Sequence, residues 1–101
     1  AFRLGPQFNR LVGIDEIESR YYLRMELFDQ PGVVGQIATI LGRYGISISS
    51  CVQHEGQAVD HVPMIIITHL AREGKVREAI AEFEKLPVVC GKVVLYRIEE
   101  V

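Results

Sequence analysis

The stretch Leu27-Phe28-Asp29-Gln30-Pro31-Gly32-Val33-Val34 separates two kinds of hydrophobic periodicity, and the change between them decides the fold. Residues 21–28 place apolar side chains at every second position, which is typical of a half-buried β-strand. Beyond the stretch, apolar side chains recur every three or four positions as far as Tyr44, which indicates an amphipathic helix, and Gly45 follows as a left-handed cap. The sequence therefore predicts a strand that runs directly into a helix N-terminus, with Pro31 in the turn, where its fixed φ is tolerated.

The same periodicities continue through the chain and predict the order β-α-β-β-α-β. A right-handed crossover in each β-α-β half places both helices on one face of an antiparallel sheet. We therefore expect an α+β, ferredoxin-like sandwich with a four-stranded sheet. Its second face lacks helical cover and contains apolar side chains, which favours a homodimer or a higher homo-oligomer. The further predicted elements are strands over 46–53, 62–70 and 88–99, a helix around 76–83 and a polar loop over 54–61.

The composition is that of one ordinary globular domain. The chain has 101 residues, of which 49% are hydrophobic and 24% charged, enough for a single modest core. The formal net charge of −2 provides no excess of positive charge to attract nucleic acid or an anionic membrane. The longest apolar stretch, 62–70, is far shorter than the roughly 20 residues of a transmembrane helix. We therefore expect neither a nucleic-acid partner nor a membrane.

The sequence divides into a short lead-in and one domain. Residues 1–19 mix turn-forming and scattered apolar residues, and we interpret them as a linker, so the predicted domain spans 20–101. The start has neither a secretory apolar segment nor an initiating methionine, which suggests a piece of a longer protein. Cys51 and Cys90 match neither a metal-binding pair nor a disulfide framework, so we expect reduced thiols and a cytoplasmic location.

The turn at Asp29 combines features that suit a ligand carrying both charges. The first N–H groups of a helix have no partner within the helix, and together with the helix dipole they can hold a carboxylate. These groups belong to Gly32, Val33 and Val34, and Gly32 allows a ligand to approach closely. Asp29 either accepts hydrogen bonds from an ammonium group or caps the helix. A free α-amino acid has both a carboxylate and an ammonium group.

The motif around this turn resembles that of a known family. Residues 29–34, followed eleven residues on by Gly45-Ile46-Ser47-Ile48, look like the signature of ACT domains: Asp or Asn, Pro-Gly-Val, an amphipathic helix and a Gly-x-Ser/Asn-Ile strand. The resemblance covers 21–101. A closer similarity, to the C-terminal domain of bacterial homoserine dehydrogenases, is carried by residues 17–24, Ser47-Ile48, Gln53, Thr68-His69 and 86–89.

This resemblance implies a regulatory domain that senses an amino acid, threonine in this family, and exerts feedback control on threonine, methionine and isoleucine biosynthesis. The effector of ACT domains typically lies between subunits. Carried over by position, Asp29 binds the amino group, and Ser47 and Ile48 of a second subunit close the pocket, with Ser49 and Gln53 as weaker candidates for the effector hydroxyl. The carboxylate side of the effector falls to Gln30, Gly32, Val33 and Val34.

The sequence predicts no catalysis within this chain. No Gly-x-Gly-x-x-Gly follows a predicted strand, so a nicotinamide dinucleotide is not expected to bind here. In the enzymes that the chain resembles, the catalytic domains precede the ACT domain, so NAD(P) is expected only in that missing part of an oxidoreductase. The histidines lack the spacing of metal ligands, and Ser47, Ser49 and Ser50 lack His and Asp partners in order. We therefore expect neither a metal site nor a nucleophile.

Three other functions remain open from the sequence. A structural ACT module would hold subunits together without any ligand. The regulatory subunit of acetolactate synthase shares the Pro-Gly signature and would bind valine, although the similarity at residues 19–24 argues against it. An RNA-binding domain of the same fold would stack bases on aromatic side chains, yet strands 46–53 and 62–70 contain none.

Overall fold

The computed structural model describes residues 13–53 and 61–99, and it confirms the predicted order of the main helices and strands. It adds a 3-10 helix at Ile14–Glu16 and a two-residue strand. The predicted loop over 54–61 lies outside the described residues except for His61. No helix in the described ranges is long and apolar enough to cross a membrane. In chain order the elements are β1 (Glu18–Phe28), α1 (Val33–Arg43), β2 (Ile48–Gln53), β3 (His61–Thr68), β4 (Ala71–Arg72), α2 (Glu73–Lys85) and β5 (Val89–Ile98).

β1 lies at the centre of an antiparallel sheet. It pairs with β3 and with β5, while β2 pairs with the other side of β3, which gives the order β2-β3-β1-β5. The short β4 pairs with the first two residues of β1, which precede the segment that pairs with β3, and it places Ala71 opposite Ser19. Side chains of both helices join one core with one face of this sheet. This arrangement confirms the predicted ferredoxin-like α+β architecture.

The hydrophobic core fills the space between that sheet face and the two helices. In β1, the alternate residues Tyr21, Leu23, Met25 and Leu27 are each at most 1% exposed, so one side of the strand lies wholly in the core. Burying a large apolar side chain stabilises the fold by about 1.5–3 kcal/mol. The facing buried side chains are Val33, Ile37, Ile40 and Leu41 of α1, Met64 and Ile66 of β3, and Val76, Ala79 and Phe83 of α2.

The end of the lead-in packs against α2. Ile17 is buried, and its carbonyl oxygen accepts a hydrogen bond from the N–H of Glu73 at 2.9 Å. Next to it, a Cβ on Gly74 would lie only 3.0 Å from the Cβ of Asp15, so this contact has no room for a side chain. β1 begins at Glu18, two residues before the predicted start of the domain at residue 20. Residues 13–19 are thus structurally continuous with the sheet and α2.

A bulge in β2 changes which side chains share a face. The sequence pattern places Ile48, Ser50 and Val52 on one side of the strand. In the structure Ile48 is opposite the buried Thr68, whereas Ser50 is opposite Ile67, because the register shifts between Ile48 and Ser50. The side chain of Ile48 therefore lies on the core side of the sheet, whereas those of Ser50 and Val52 lie on the open side. The prediction that the three share one face is wrong. A bulge of this kind adds one residue to the strand and redirects the side chains that follow it.

A carboxylate, Glu73, is buried at the first position of α2. It accepts hydrogen bonds from the Tyr21 hydroxyl at 3.1 Å, from Arg77 Nε at 3.1 Å and from Arg97 Nη2 at 2.6 Å. Burial favours the neutral acid, but the hydrogen bonds from Arg97, Arg77 and Tyr21 outweigh it and lower the pKa of Glu73. Burial, followed by the Glu73 charge, raises the pKa of Tyr21 to about 12. This network ties β1 and β5 to the start of α2.

We predict that Glu73→Gln lowers the free energy of unfolding by about 2–3 kcal/mol near neutral pH, because Arg97 loses a buried ionic partner. The folded-state pKa of Glu73 is depressed, so its contribution is present above the unfolded pKa and is lost as pH falls through the folded one. The difference between wild type and variant should therefore shrink in acid. Urea unfolding between neutral pH and about pH 3 measures it.

Glu82→Gln is the matched control for this experiment. Glu82 pairs with Arg43 at 3.1 Å, and the two side chains are 32% and 58% exposed. An exposed pair of this kind contributes about 0–1 kcal/mol. Equal losses in the two variants, or a Glu73→Gln deficit that stays constant into acid, would show that the Glu73 network is not a main support of the fold.

Candidate functional site

The predicted turn sits where β1 ends and α1 begins. Gly32 is the N-cap of α1 and has φ +84°, a left-handed conformation that glycine adopts without strain. The carbonyl of Gly32 accepts the N–H of Gln36 at 3.0 Å, which starts the helix. The N–H of Val33 points back to the carbonyl of Gln30 at 3.4 Å, a long hydrogen bond. The turn thus begins α1 at Val33, four residues after Asp29.

Exposure separates the roles that the turn residues can have. Asp29, Gln30 and Gly32 are exposed, and Val34 is 40% exposed, so all four can contact a ligand. The side chain of Val33 is buried in the core, so this residue can offer only its backbone. Gly32 is the N-cap residue, and no side chain makes a capping hydrogen bond to α1. Of the two roles considered for Asp29, capping is thus not the one seen within the described ranges.

The other two predicted site residues lie at the opposite end of the sheet. Ser47 is exposed, and its carbonyl accepts the N–H of His69 at 2.9 Å. Ile48 is opposite Thr68, whose hydroxyl accepts the N–H of Tyr21 near the start of β1. Asp29 follows the last residue of β1 and lies eight residues beyond Tyr21, so at about 3.3 Å per residue the two positions are about 26 Å apart. One chain therefore does not bring Asp29 together with Ser47 and Ile48.

The two weaker candidates also differ in position. Gln53 is exposed at the end of β2 and is opposite Met64. Ser49 lies in the bulge of β2, and its hydroxyl oxygen accepts a hydrogen bond from Arg20. Only Gln53 lies toward the Asp29 end of the sheet.

The sheet face away from the helices is rich in apolar side chains. Tyr96 is 63% exposed and Val52 42% exposed, and the rings of Tyr22 and Tyr96 lie 6.0 Å apart across neighbouring strands. Aromatic side chains of this kind provide large contact areas at interfaces. The half-buried members of the same face are Tyr22, Phe28, Ile65, Ile67 and Ile98.

Within 13–53 and 61–99, no group of three or more His, Cys, Asp or Glu side chains is placed to hold a metal ion. His61 Nδ1 lies 3.3 Å from a carboxylate oxygen of Glu26, and His54 falls outside the described ranges. Burial raises the pKa of the Cys51 thiol, which works against the reactive thiolate.

Comparison with known families and proteins agrees with this geometry. The family model for the ACT domain matches residues 21–88, which includes the turn, both helices and the sheet as far as Val88. The chain belongs to the ACT domain family. Solved structures share its fold: the small subunit of acetolactate synthase from Thermotoga maritima has a TM-score of 0.62 over 79% of this chain and 47% of its own, at 20% identity. That identity shows a common fold only.

More similar relatives of this ACT domain are homoserine dehydrogenases. The homoserine dehydrogenase of Pseudomonas aeruginosa is 45% identical over 91 residues, which is 89% of this chain and 21% of that protein. The crystal structure of a homoserine dehydrogenase from Thiobacillus denitrificans has a TM-score of 0.77 at 39% identity, over 86% of this chain and 19% of that one. The chain thus spans about a fifth of the length of these relatives.

The turn predicts opposite effects for two nearby glycines. Gly32→Ala should destabilise the ACT domain by about 1 kcal/mol, because alanine is strained at φ +84°. Gly35→Ala, in the first turn of α1 and with nothing within 4 Å of the added Cβ, should stabilise it by about 0.4–1 kcal/mol. Thermal or urea unfolding of both variants measures these changes. A Gly32→Ala variant as stable as wild type would mean that the turn does not need its left-handed residue.

Proposed function

We propose that this ACT domain is the amino-acid-sensing regulatory domain of a homoserine dehydrogenase and that it binds threonine for feedback control. The observation that carries the proposal is an exposed carboxylate, Asp29, just before the start of α1, which has no side-chain cap among the described residues. The first N–H groups of a helix have no partner within the helix and can bind an anion. The homoserine dehydrogenases that the chain resembles support the choice of enzyme. The alternative with acetolactate synthase rests on fold similarity alone.

In this proposal the two charged groups of the effector are recognised at one turn. The N–H groups of Gly32 and Val34 hold the carboxylate, where the helix dipole adds about 0.3–1 kcal/mol or more in a partly buried site. Asp29 accepts hydrogen bonds from the ammonium group, and charge-assisted bonds of this kind are stronger than neutral ones. Gln30 is exposed at the same turn and can contact the ligand from the side.

A second chain supplies the remaining wall of the pocket. Because Ser47 and Ile48 lie at the far end of the sheet from Asp29, they can close the pocket only if they belong to another copy. Threonine bound between two chains favours whichever arrangement brings these groups together, and that differential affinity is the basis of allosteric control. The apolar open face of the sheet, with Tyr96 and Val52, provides further surface for a homo-oligomer.

The rest of the enzyme is proposed to lie outside this chain. NAD(P) binding and turnover belong to the catalytic part of the longer protein, which we expect in the cytoplasm. Within this chain, Ile17 and Gly74 fix the lead-in to α2, so a change in the ACT domain can be transmitted to whatever precedes residue 13. The direct readout of the proposal is nevertheless binding by the ACT domain itself.

We predict saturable heat when threonine is titrated into the chain and at least a tenfold loss of affinity in Asp29→Asn, since a lost charge-assisted hydrogen bond is worth about 1.5–3 kcal/mol. Light scattering in the same buffer should show a mass above that of one chain. Threonine should also raise the unfolding temperature of wild type, because the ligand binds only the folded state.

Glu78→Gln is the control, since Glu78 is an exposed carboxylate on α2 that pairs with Lys75. It should bind threonine as wild type does. A stable oligomer that gives no heat with threonine would favour a purely structural module, and heat with valine but not threonine would favour the acetolactate synthase assignment. Equal losses in Asp29→Asn and Glu78→Gln would place the site elsewhere.

A further inference from the structure

An open cavity of about 750 Å³ lies at the end of the sheet opposite the Asp29 turn. Its lining combines a cation, hydroxyl groups and exposed apolar surface, which is the usual make-up of a small-molecule site of this size. None of the residues of the Asp29 turn takes part, although Ser49, a weaker candidate for the effector hydroxyl, does. The lining residues are Glu18, Ser19, Arg20, Ser49, His69, Leu70 and Ile98.

Arg20 is held in a fixed position at this cavity. Its Nε donates to the carbonyl oxygen of Thr68 at 3.2 Å, and its Nη2 donates to the hydroxyl of Ser49 at 3.0 Å. Thr68 is the last residue of β3 and Ser49 lies in the bulge of β2, so the guanidinium of Arg20 links β1 to both of these strands. A guanidinium carries five N–H donors, and these two hydrogen bonds leave others available. The guanidinium of Arg20 is therefore preorganised and still has N–H donors available for a ligand.

Among the residues that the structure describes, Arg20 differs from the other arginines in having no carboxylate partner. Of the six arginines within 13–53 and 61–99, five lie within 4.0 Å of a carboxylate oxygen, and Arg20 is the exception. Arg20 is also half-buried, whereas Arg24 and Arg43 are more than half exposed and still have a carboxylate. A partly desolvated guanidinium gains most from a carboxylate, which it can bind through two parallel hydrogen bonds.

The surroundings of Arg20 suit a small organic carboxylate. Glu18 also lines the cavity, but it pairs with Arg72 at 3.7 Å, and this partner offsets its negative charge. His69 is exposed next to the cavity, and its ring can donate a hydrogen bond. Leu70 is 69% exposed, and together with Ile98 it offers apolar surface to a short hydrocarbon chain.

We propose that this cavity binds a small carboxylate ligand, with the guanidinium of Arg20 as its anchor, Ser49 holding that guanidinium in place, and Leu70 and Ile98 contacting the ligand's apolar part. The cavity is a second site, distinct from the Asp29 turn. Within one chain the two lie at opposite ends of the sheet, so butyrate-induced shifts at Ser49, His69 and Leu70 can be distinguished from shifts at residues 29–34.

The test uses butyrate and its neutral isostere butyramide as probes. The chain has its own closed core, so its ¹⁵N-labelled form can be titrated with each probe at constant ionic strength. Butyrate should cause saturable shifts of the amide signals of Ser49, His69 and Leu70, and butyramide should not. Similar shifts with both probes, shifts confined to residues 29–34, or no saturable shift would overturn the proposal.

Variants identify the anchor. Arg20→Gln should weaken butyrate binding at least about tenfold, and Arg20→Lys, which keeps the charge without the fork, should weaken it less. Arg24→Gln is the matched control, since Arg24 is an exposed arginine of the same strand and does not line the cavity. Wild-type affinity in a folded Arg20→Gln variant, or equal losses in Arg20→Gln and Arg24→Gln, would overturn the assignment. Arg20→Lys keeps the test informative if the Gln variant does not fold.

Discussion

The structure depends on the position of β1 as a central strand that is buried on one side along its whole length. Because β3, β4 and β5 all pair with it, its alternation fixes which side of every neighbouring strand faces the helices. A shift of one residue would exchange the buried Tyr21 and Leu23 for Tyr22 and Arg24, so the register is strongly specified. The same strand carries the Asp29 turn at one end and Arg20 near the other, and its length keeps these two features apart.

Most of the fold could be predicted from the sequence because its periodicities are strong and agree with the local turn signals. The alternation of β1 and the apolar stripes of the helices correspond directly to the buried side chains. The position of the Asp29 turn and the left-handed Gly45 were predictable for the same reason, since each depends on a few neighbouring residues. The fold can be predicted where the local sequence pattern and the tertiary packing agree.

The rest depends on contacts between residues that are distant in sequence. The bulge of β2 does not interrupt the alternation of apolar and polar residues in the sequence. It is seen only in the pairing with β3, where the register shifts between Ile48 and Ser50, and in the hydrogen bond that Ser49 accepts from Arg20. α2 begins at Glu73, three residues before the helix predicted around 76–83. Gly74 packs against Asp15, and Glu73 accepts a hydrogen bond from Arg97, and neither contact can be seen in the local sequence. For the site, the sequence predicted the Asp29 turn. The distance from Asp29 to Ser47, and the absence of a carboxylate beside Arg20 among the described residues, could be seen only in the fold.

We propose that threonine is sensed by two chains together, because one chain holds Asp29 and Ser47 at opposite ends of its sheet. The most direct measurement mixes two variants, Asp29→Ala and Ser47→Trp, under conditions in which subunits exchange, and titrates threonine into the mixture. Neither variant alone should bind, and each mixed dimer should recover one intact site, built from Asp29 of one chain and Ser47 of the other. Full binding by the unmixed Ser47→Trp variant, or no recovery in mixed dimers, would contradict the account.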